Sequence, residues 1–181
     1  MKKRTFLKLA GAIGAESILS PLARLGAESG MPDKLRNWAG NVDYSTESLH
    51  AGKSVAEVRE YVKKTEKLRV LGTRHCFNTI ADSKDAFLSL TEMHDQPELD
   101  VAARTVTVDA NMTYGRLAPW LEQRGFALHN LASLPHISVA GACSTATHGS
   151  GEKNRNLSAA VQGLEVVAAN GHAGSGEQHA G

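Results

Sequence analysis

The sequence predicts an α+β fold, and three observations predict it. A serine-led capping box opens a stretch with apolar residues at helical spacing, short branched apolar runs stand apart from it, and glycines mark the boundaries between them. In Ser54-Val55-Ala56-Glu57 the serine hydroxyl takes an orphan amide of the first turn and the glutamate reaches back to the cap. Val55, Val58, Tyr61 and Val62 recur on one face, so an amphipathic helix is expected over 55–66. Leu68-Arg69-Val70-Leu71 follows as a short strand that Gly72 ends. Residues 86–90 and 105–108 are expected strands, the second with β-branched alternation. Thr113 caps a second helix that runs to Arg124 and stops at Gly125, and Pro119 inside it should kink it or split its first turn. A last strand over 164–169 leads into Asn170-Gly171, a strong hairpin signal. From His172 to Gly181 only alanines are apolar and glycines interrupt them, so no strand is expected there and the domain should stop short of completion.

Composition narrows the function classes. With 41% hydrophobic and 22% charged residues, the 181-residue chain is not disordered, collagenous or coiled-coil. A formal net charge of +1 carries no nucleic-acid footprint. No run reaches the roughly 18 apolar residues of a membrane helix, so no stable membrane insertion is expected. Aromatic residues make up 5% while glycines number 17, so backbone-lined loops must do much of the shaping. Cys76 and Cys143 stand far apart and form neither a paired metal motif nor a disulfide framework; two buried or free thiols are expected.

At the N-terminus, Lys2, Lys3 and Arg4 precede Phe6-Leu7-Lys8-Leu9 and a soft apolar stretch to Ala23, the order of an export signal. Lys3-Arg4-Thr5-Phe6-Leu7-Lys8 resembles a bacterial twin-arginine signal with lysine in the first arginine position. Residues 1–30 are read as signal and linker, which directs the chain to the periplasm. Lys3 and Glu16 leave a cytoplasmic N-terminal helix as the alternative.

Two segments carry the chemistry. In Val70-Leu71-Gly72-Thr73-Arg74-His75-Cys76-Phe77-Asn78 a strand runs into a glycine turn, where successive amides aimed one way can make an anion nest for a phosphate or pyrophosphate. A solvated surface turn is the plain alternative. The run from Asn130 to Gly151 is almost free of charge and full of hydroxyls and small side chains, which let a flat or anionic ligand lie close to the backbone. Other chemistries are absent: no phosphate loop ending in Gly-Lys-Ser/Thr, no complete dinucleotide glycine fingerprint, no His-Glu-x-x-His. His75, His136 and His148 match no standard zinc spacing, so no metal is expected. Ser133 lacks the Gly-x-Ser-x-Gly of a serine nucleophile.

Gly72 to Asn78, followed by Ala132-Ser133-Leu134-Pro135-His136-Ile137-Ser138-Val139-Ala140-Gly141 and Thr147-His148-Gly149-Ser150-Gly151, resembles the FAD-linked oxidases of the vanillyl-alcohol oxidase type, which carry a PCMH-type FAD-binding domain. Among them it is most similar to the alditol oxidases, with the sugar-lactone oxidases as near relatives. The match runs from about Gly40 to Gly171. It implies a PCMH-type domain of two small α/β subdomains over 31–171 and a low-complexity tail over 172–181. It also implies a C-terminal cap domain that the residues up to Gly181 do not contain, so these residues alone are expected to show little or no turnover.

The resemblance also implies roles. Val70, Leu71, Gly72, Thr73, Arg74, His75 and Cys76 would form the pyrophosphate loop, and His75 would bond covalently to the 8α-methyl of FAD. Arg74 and Cys76 depart from the commoner glycine and serine. Ser138, Gly141, Thr145, Ala146, Thr147 and His148 match positions lining FAD, and Ser133 matches a serine at the substrate end, where its hydroxyl would hold a polyol oxygen. The implied reaction oxidises a CH–OH group of an alditol or sugar lactone, with hydride passing to flavin N5 and dioxygen leaving as hydrogen peroxide. A non-catalytic flavin-binding module and the lactone-oxidase branch (gulonolactone, arabinonolactone) are the alternatives.

Overall fold

The computed structural model describes residues 34–177, so the expected export signal over 1–30 lies outside the described residues. Helix α1 spans Val55–Lys64, opened by Ser54, whose side chain accepts from the Glu57 amide at 3.3 Å. Glu57 reaches back to the amide of Lys53 at 3.0 Å, one residue before the cap, so the box closes one residue earlier than expected. Glu57 in the first turn and Lys63 and Lys64 in the last complement the helix dipole. The helix ends before the expected residue 66 because Thr65 is already extended.

The strands flanking α1 in sequence form a parallel sheet of β1 (Leu49–Ala51), β2 (Arg69–Val70) and β3 (Phe87–Ser89), in the order β1-β3-β2. Central β3 pairs on both sides, and all three of its residues are buried, as suits a strand covered on both faces. Phe87 is fully buried and packs with Leu71 and Tyr44. The sequence did not indicate β1: three residues with one large apolar side chain carry no alternation, and the pairing that makes them a strand is made with residues 87–89.

A second cluster forms on helix α2 (Tyr114–Glu122). Strands β4 (Glu98–Asp100) and β5 (Thr105–Thr107) form an antiparallel pair. From this pair Leu99 and Val106 pack against Met112, Leu117 and Leu121. Gly125, at φ +77, ends the helix as expected: its amide donates to Glu122 O, and that of Phe126 donates back to Leu121 O. This is the Schellman pattern, with Phe126 packed in the Leu121 cluster. Pro119 does not split the helix, which runs unbroken through it. One amide is lost there, too little to stop a helix anchored by Leu117 and Leu121. Thr113 stands at the cap position without a side-chain bond. The orphan amides are met from outside instead: Tyr114 N donates to Ile137 O at 3.1 Å and Gly115 N to Pro135 O at 2.8 Å.

Past that contact, Ser138 caps a short helix, α3 (Val139–Cys143), by accepting from the Gly141 amide at 3.2 Å. The charge-poor run from Asn130 to Gly151 therefore contains a helical turn, which small residues tolerate once the cap is in place.

The expectation of no strand after the turn is overturned for Ala173–Glu177. Strand β7 (Ala173–Glu177) pairs antiparallel with β6 (Gly163–Val167) over five residue pairs, from Gly163↔Glu177 to Val167↔Ala173. These five residues of the expected tail are thus a strand despite their glycines and alanine. Ladder bonds need backbone only, and the turn brings the partners into register. Gly171 N donates to Ala168 O at 2.7 Å, Ala168 N donates to His172 O at 2.9 Å, and Gly171 sits at φ +73. This is a type I turn closed by a left-handed glycine. From α1, Arg59 Nε donates to Gly171 O at 2.6 Å and pins the turn. Among the described residues, no helix is long and apolar enough to cross a membrane.

Candidate functional site

Where β2 leaves the sheet, the Leu71 amide still donates to Leu88 O at 2.8 Å and the Leu71 side chain lies in the core. This residue can therefore offer a ligand only its backbone, while Val70 is exposed beside it. The next five amides, Gly72, Thr73, Arg74, His75 and Cys76, meet no acceptor among the described residues. Five successive open donors fit an anion with several oxygens.

Arg74 adopts φ +60, the left-handed region that costs a non-glycine residue roughly 1–2 kcal/mol. The segment 36–38 offsets that strain. Trp38 N donates to Arg74 O at 2.7 Å, Arg74 Nη1 donates to Arg36 O at 3.1 Å, and Asn37 Nδ2 donates to Cys76 O at 2.8 Å. Asn37 is buried, and its Oδ1 accepts from Val42 N, so one side chain ties a tight turn to the loop. Sequence reasoning missed Asn37 and Trp38, since a lone asparagine and tryptophan before the first helix carry no motif.

Two contacts join this loop to the run 130–151. Gly72 faces Ser138, where an added Cβ would lie 3.3 Å from Ser138 Oγ. Ser138 is buried and its hydroxyl is engaged by Gly141, so its place is beneath the loop. An added Cβ at Gly141 would lie 2.7 Å from the same oxygen, which explains a glycine there. The second contact is His75 Nδ1 to His136 Nε2, 3.1 Å apart. Trp38 stacks on His136 with ring centroids 4.8 Å apart and 18° between planes, and it also flanks His75 at 5.0 Å. Phe77 meets His75 edge-on at 5.1 Å. Burial, and secondarily the facing His136 ring, pull the His75 pKa below the usual 6.5. The ring is therefore neutral at neutral pH and carries a free electron pair.

The other expected residues spread along the second run. Thr145 and Thr147 face each other through their hydroxyls at 2.8 Å. Ser133, Ala146 and His148 are exposed. Asn130 has a buried Nδ2 without an acceptor among the described residues. It lies against Gly149, where any side chain would strike Asn130 Oδ1. Tyr114 is buried and Cys143 half-buried, and burial pushes both pKa values up. Their ionised forms are suppressed, so they serve packing. Both cysteines are free thiols, as expected.

Comparison with known proteins agrees with this geometry. A family described as FAD binding domain matches residues 50–174. Alditol oxidase of Streptomyces sp. is 39% identical over 144 residues, 78% of this chain and 35% of the relative. L-gulono-1,4-lactone dehydrogenase of Mycobacterium tuberculosis is 31% identical over 139 residues, 75% of this chain and 32% of the relative. This chain thus spans about a third of the length of these curated relatives. Cholesterol oxidase from B. sterolicum superposes with a TM-score of 0.68 at 16% identity, covering 84% of this chain and 35% of that one. Wild-type BBE-like 1 of Physcomitrella patens superposes with a TM-score of 0.68 at 22% identity, covering 86% and 37%.

Proposed function

The chain belongs to the FAD binding domain family of FAD-linked oxidases, and from that premise we propose that it forms the flavin-holding part of an oxidoreductase acting on a CH–OH group of an alditol. The observation that carries this reading is the meeting of the two chemistry-bearing segments. Open amides from Gly72 to Cys76 stand beside a charge-poor, hydroxyl-rich run, joined to it at Gly72–Ser138 and His75–His136.

The residues present fit FAD. Five open amides suit a pyrophosphate, and the unpartnered, buried Nδ2 of Asn130 suits an acceptor-rich ligand. When bound, FAD would supply hydride acceptance from the alcohol carbon and electron transfer to dioxygen, giving hydrogen peroxide. The chain's own residues would bind and orient. The 72–76 amides would donate to phosphate oxygens, His75 would offer a neutral ring nitrogen for attachment, and Ser133 would offer a hydroxyl at the substrate end. Ser138 and Gly141 would act by letting the backbone approach, while Thr145, Ala146, Thr147 and His148 would line the remaining flavin surface.

Support for an alditol comes from the 39% identity with alditol oxidase. Sugar lactones are the second substrate class, because L-gulono-1,4-lactone dehydrogenase and D-arabinono-1,4-lactone oxidase are also relatives, at 31% and 30% identity. We further propose that residues 1–30 export the chain through the twin-arginine route, a segment for which loss of periplasmic protein in a strain lacking that route is the test. The flavin reading is tested by ligand length. Purified protein should bind FAD and discriminate strongly against riboflavin, which lacks the pyrophosphate. Equal affinity for the two would remove the pyrophosphate role of the 72–76 loop. Peroxide release with xylitol or sorbitol, against L-gulono-1,4-lactone, then separates the substrate classes in protein extended to the length of its relatives.

A further inference from the structure

We propose that His136 is the positioning residue for flavin attachment, with Trp38 as the surface that holds it in place. The inference rests on the reading above that His75 carries the flavin. In that step a ring nitrogen of His75 bonds to the 8α carbon and one C–H bond there breaks. One proton leaves the carbon and one leaves the ring, and two electrons pass through the flavin to dioxygen, which departs as hydrogen peroxide. The histidine must be neutral and must hold one ring orientation while this happens, because misplacement of a reacting group by about 1 Å can cost 100-fold in rate.

The structure supplies both conditions through one neighbour. His136 Nε2 lies 3.1 Å from His75 Nδ1, so a single shared proton fixes the tautomer and the plane of the His75 ring. Two imidazoles at this distance repel if both are charged, and repulsion from His136 adds to the burial that keeps His75 neutral. His136 in turn is stacked flat on Trp38, which fixes the plane of its ring. The amide of Trp38 donates to Arg74 O, directly before His75, so the tryptophan that supports His136 is anchored to the loop that bears the reacting ring. Of the groups around the pair, Arg74 points its guanidinium at Arg36 O, and no carboxylate contacts either imidazole among the described residues. The orientation of the His75 ring is thus set by His136 and the two flanking aromatic rings.

Reconstitution of apo-protein with FAD tests this, following total bound flavin by absorbance and covalent flavin by acid precipitation. Because His136 uses its Nε2, glutamine can place an amide at that reach and asparagine cannot. His136→Ala and His136→Asn should bind FAD yet attach it about 100-fold more slowly, while His136→Gln stays within several-fold of the unmutated protein. Imidazole added to His136→Ala should restore part of the rate. Attachment at the unmutated rate in His136→Ala, or equal loss in the Gln and Asn variants, would overturn the positioning role while leaving the flavin site intact. Absence of covalent flavin from the unmutated protein, or its persistence in His75→Ala, would instead overturn the underlying reading and this inference with it.

Discussion

Gly115 sits where the segment carrying His136 and Ser138 docks on α2, and replacing it with alanine sets two effects of opposite sign against each other. Within a helix alanine is favoured over glycine by up to about 1 kcal/mol, and by less in the first turn, where Gly115 stands. Against this, the new Cβ would lie 2.8 Å from Pro135 Cβ and 2.9 Å from Pro135 O. The atoms that must yield are a rigid ring and a carbonyl already accepting the Gly115 amide at 2.8 Å. Overpacking of this kind costs roughly 1–3 kcal/mol, and a rigid neighbour places it at the upper end. The clash should win by about 1–2 kcal/mol, which for a chain of this size lowers the melting temperature by about 5 °C. Calorimetry on apo-protein measures the shift. The same displacement moves Pro135 and therefore His136, so covalent flavin should fall with the melting temperature. A rise in melting temperature, or unchanged flavin attachment, would refute the claim that 135–138 is held against α2 by close contact at Gly115.

Three further outcomes follow from particular residues. Arg74 at φ +60 should tolerate glycine with little change, whereas Arg74→Val forces a β-branched residue into the left-handed region and should destabilise by about 2 kcal/mol, read by urea unfolding. His75 has a folded pKa below its usual 6.5, so the unfolded chain takes up its proton more readily. The stability tied to this ring is complete above 6.5 and is lost as pH falls through the lowered value. The melting temperature of apo-protein should drop less between about pH 7.5 and 5.5 in His75→Gln than in the unmutated chain; an identical drop would contradict the assignment. Gly171→Ala strains the left-handed turn residue and crowds Lys63, and should speed hydrogen exchange across β6 and β7 while leaving the β1-β3-β2 sheet unchanged.

Much of this architecture was legible, and the rest failed for identifiable reasons. Ser54, Glu57 and Gly125 are local signals acting through backbone hydrogen bonds next to them in sequence, so α1 and the end of α2 were readable. β1 and β7 were not, because β1 exists through pairing with distant β3, and β7 through the geometry of the turn at Gly171. The cap of α2 was misassigned in mechanism: Thr113 has the right chemistry, but carbonyls of Pro135 and Ile137 arrive first. At the site, the amide loop was readable from strand, glycine and turn, and His75 stood out within it. His136 was visible as one of eight histidines, yet nothing in the sequence places it against a ring 61 positions away. Asn37 and Trp38, which hold the loop, lie in a stretch with no pattern at all.

The central claim, that this chain holds FAD with His75 as its covalent anchor, meets its most direct measurement in acid precipitation of FAD-loaded protein followed by peptide mapping. The yellow chromophore should remain in the pellet of the unmutated protein and appear in the supernatant for His75→Ala, and the flavin-bearing peptide should contain His75. Flavin released freely from the unmutated protein, or mapped to any other residue, would contradict it.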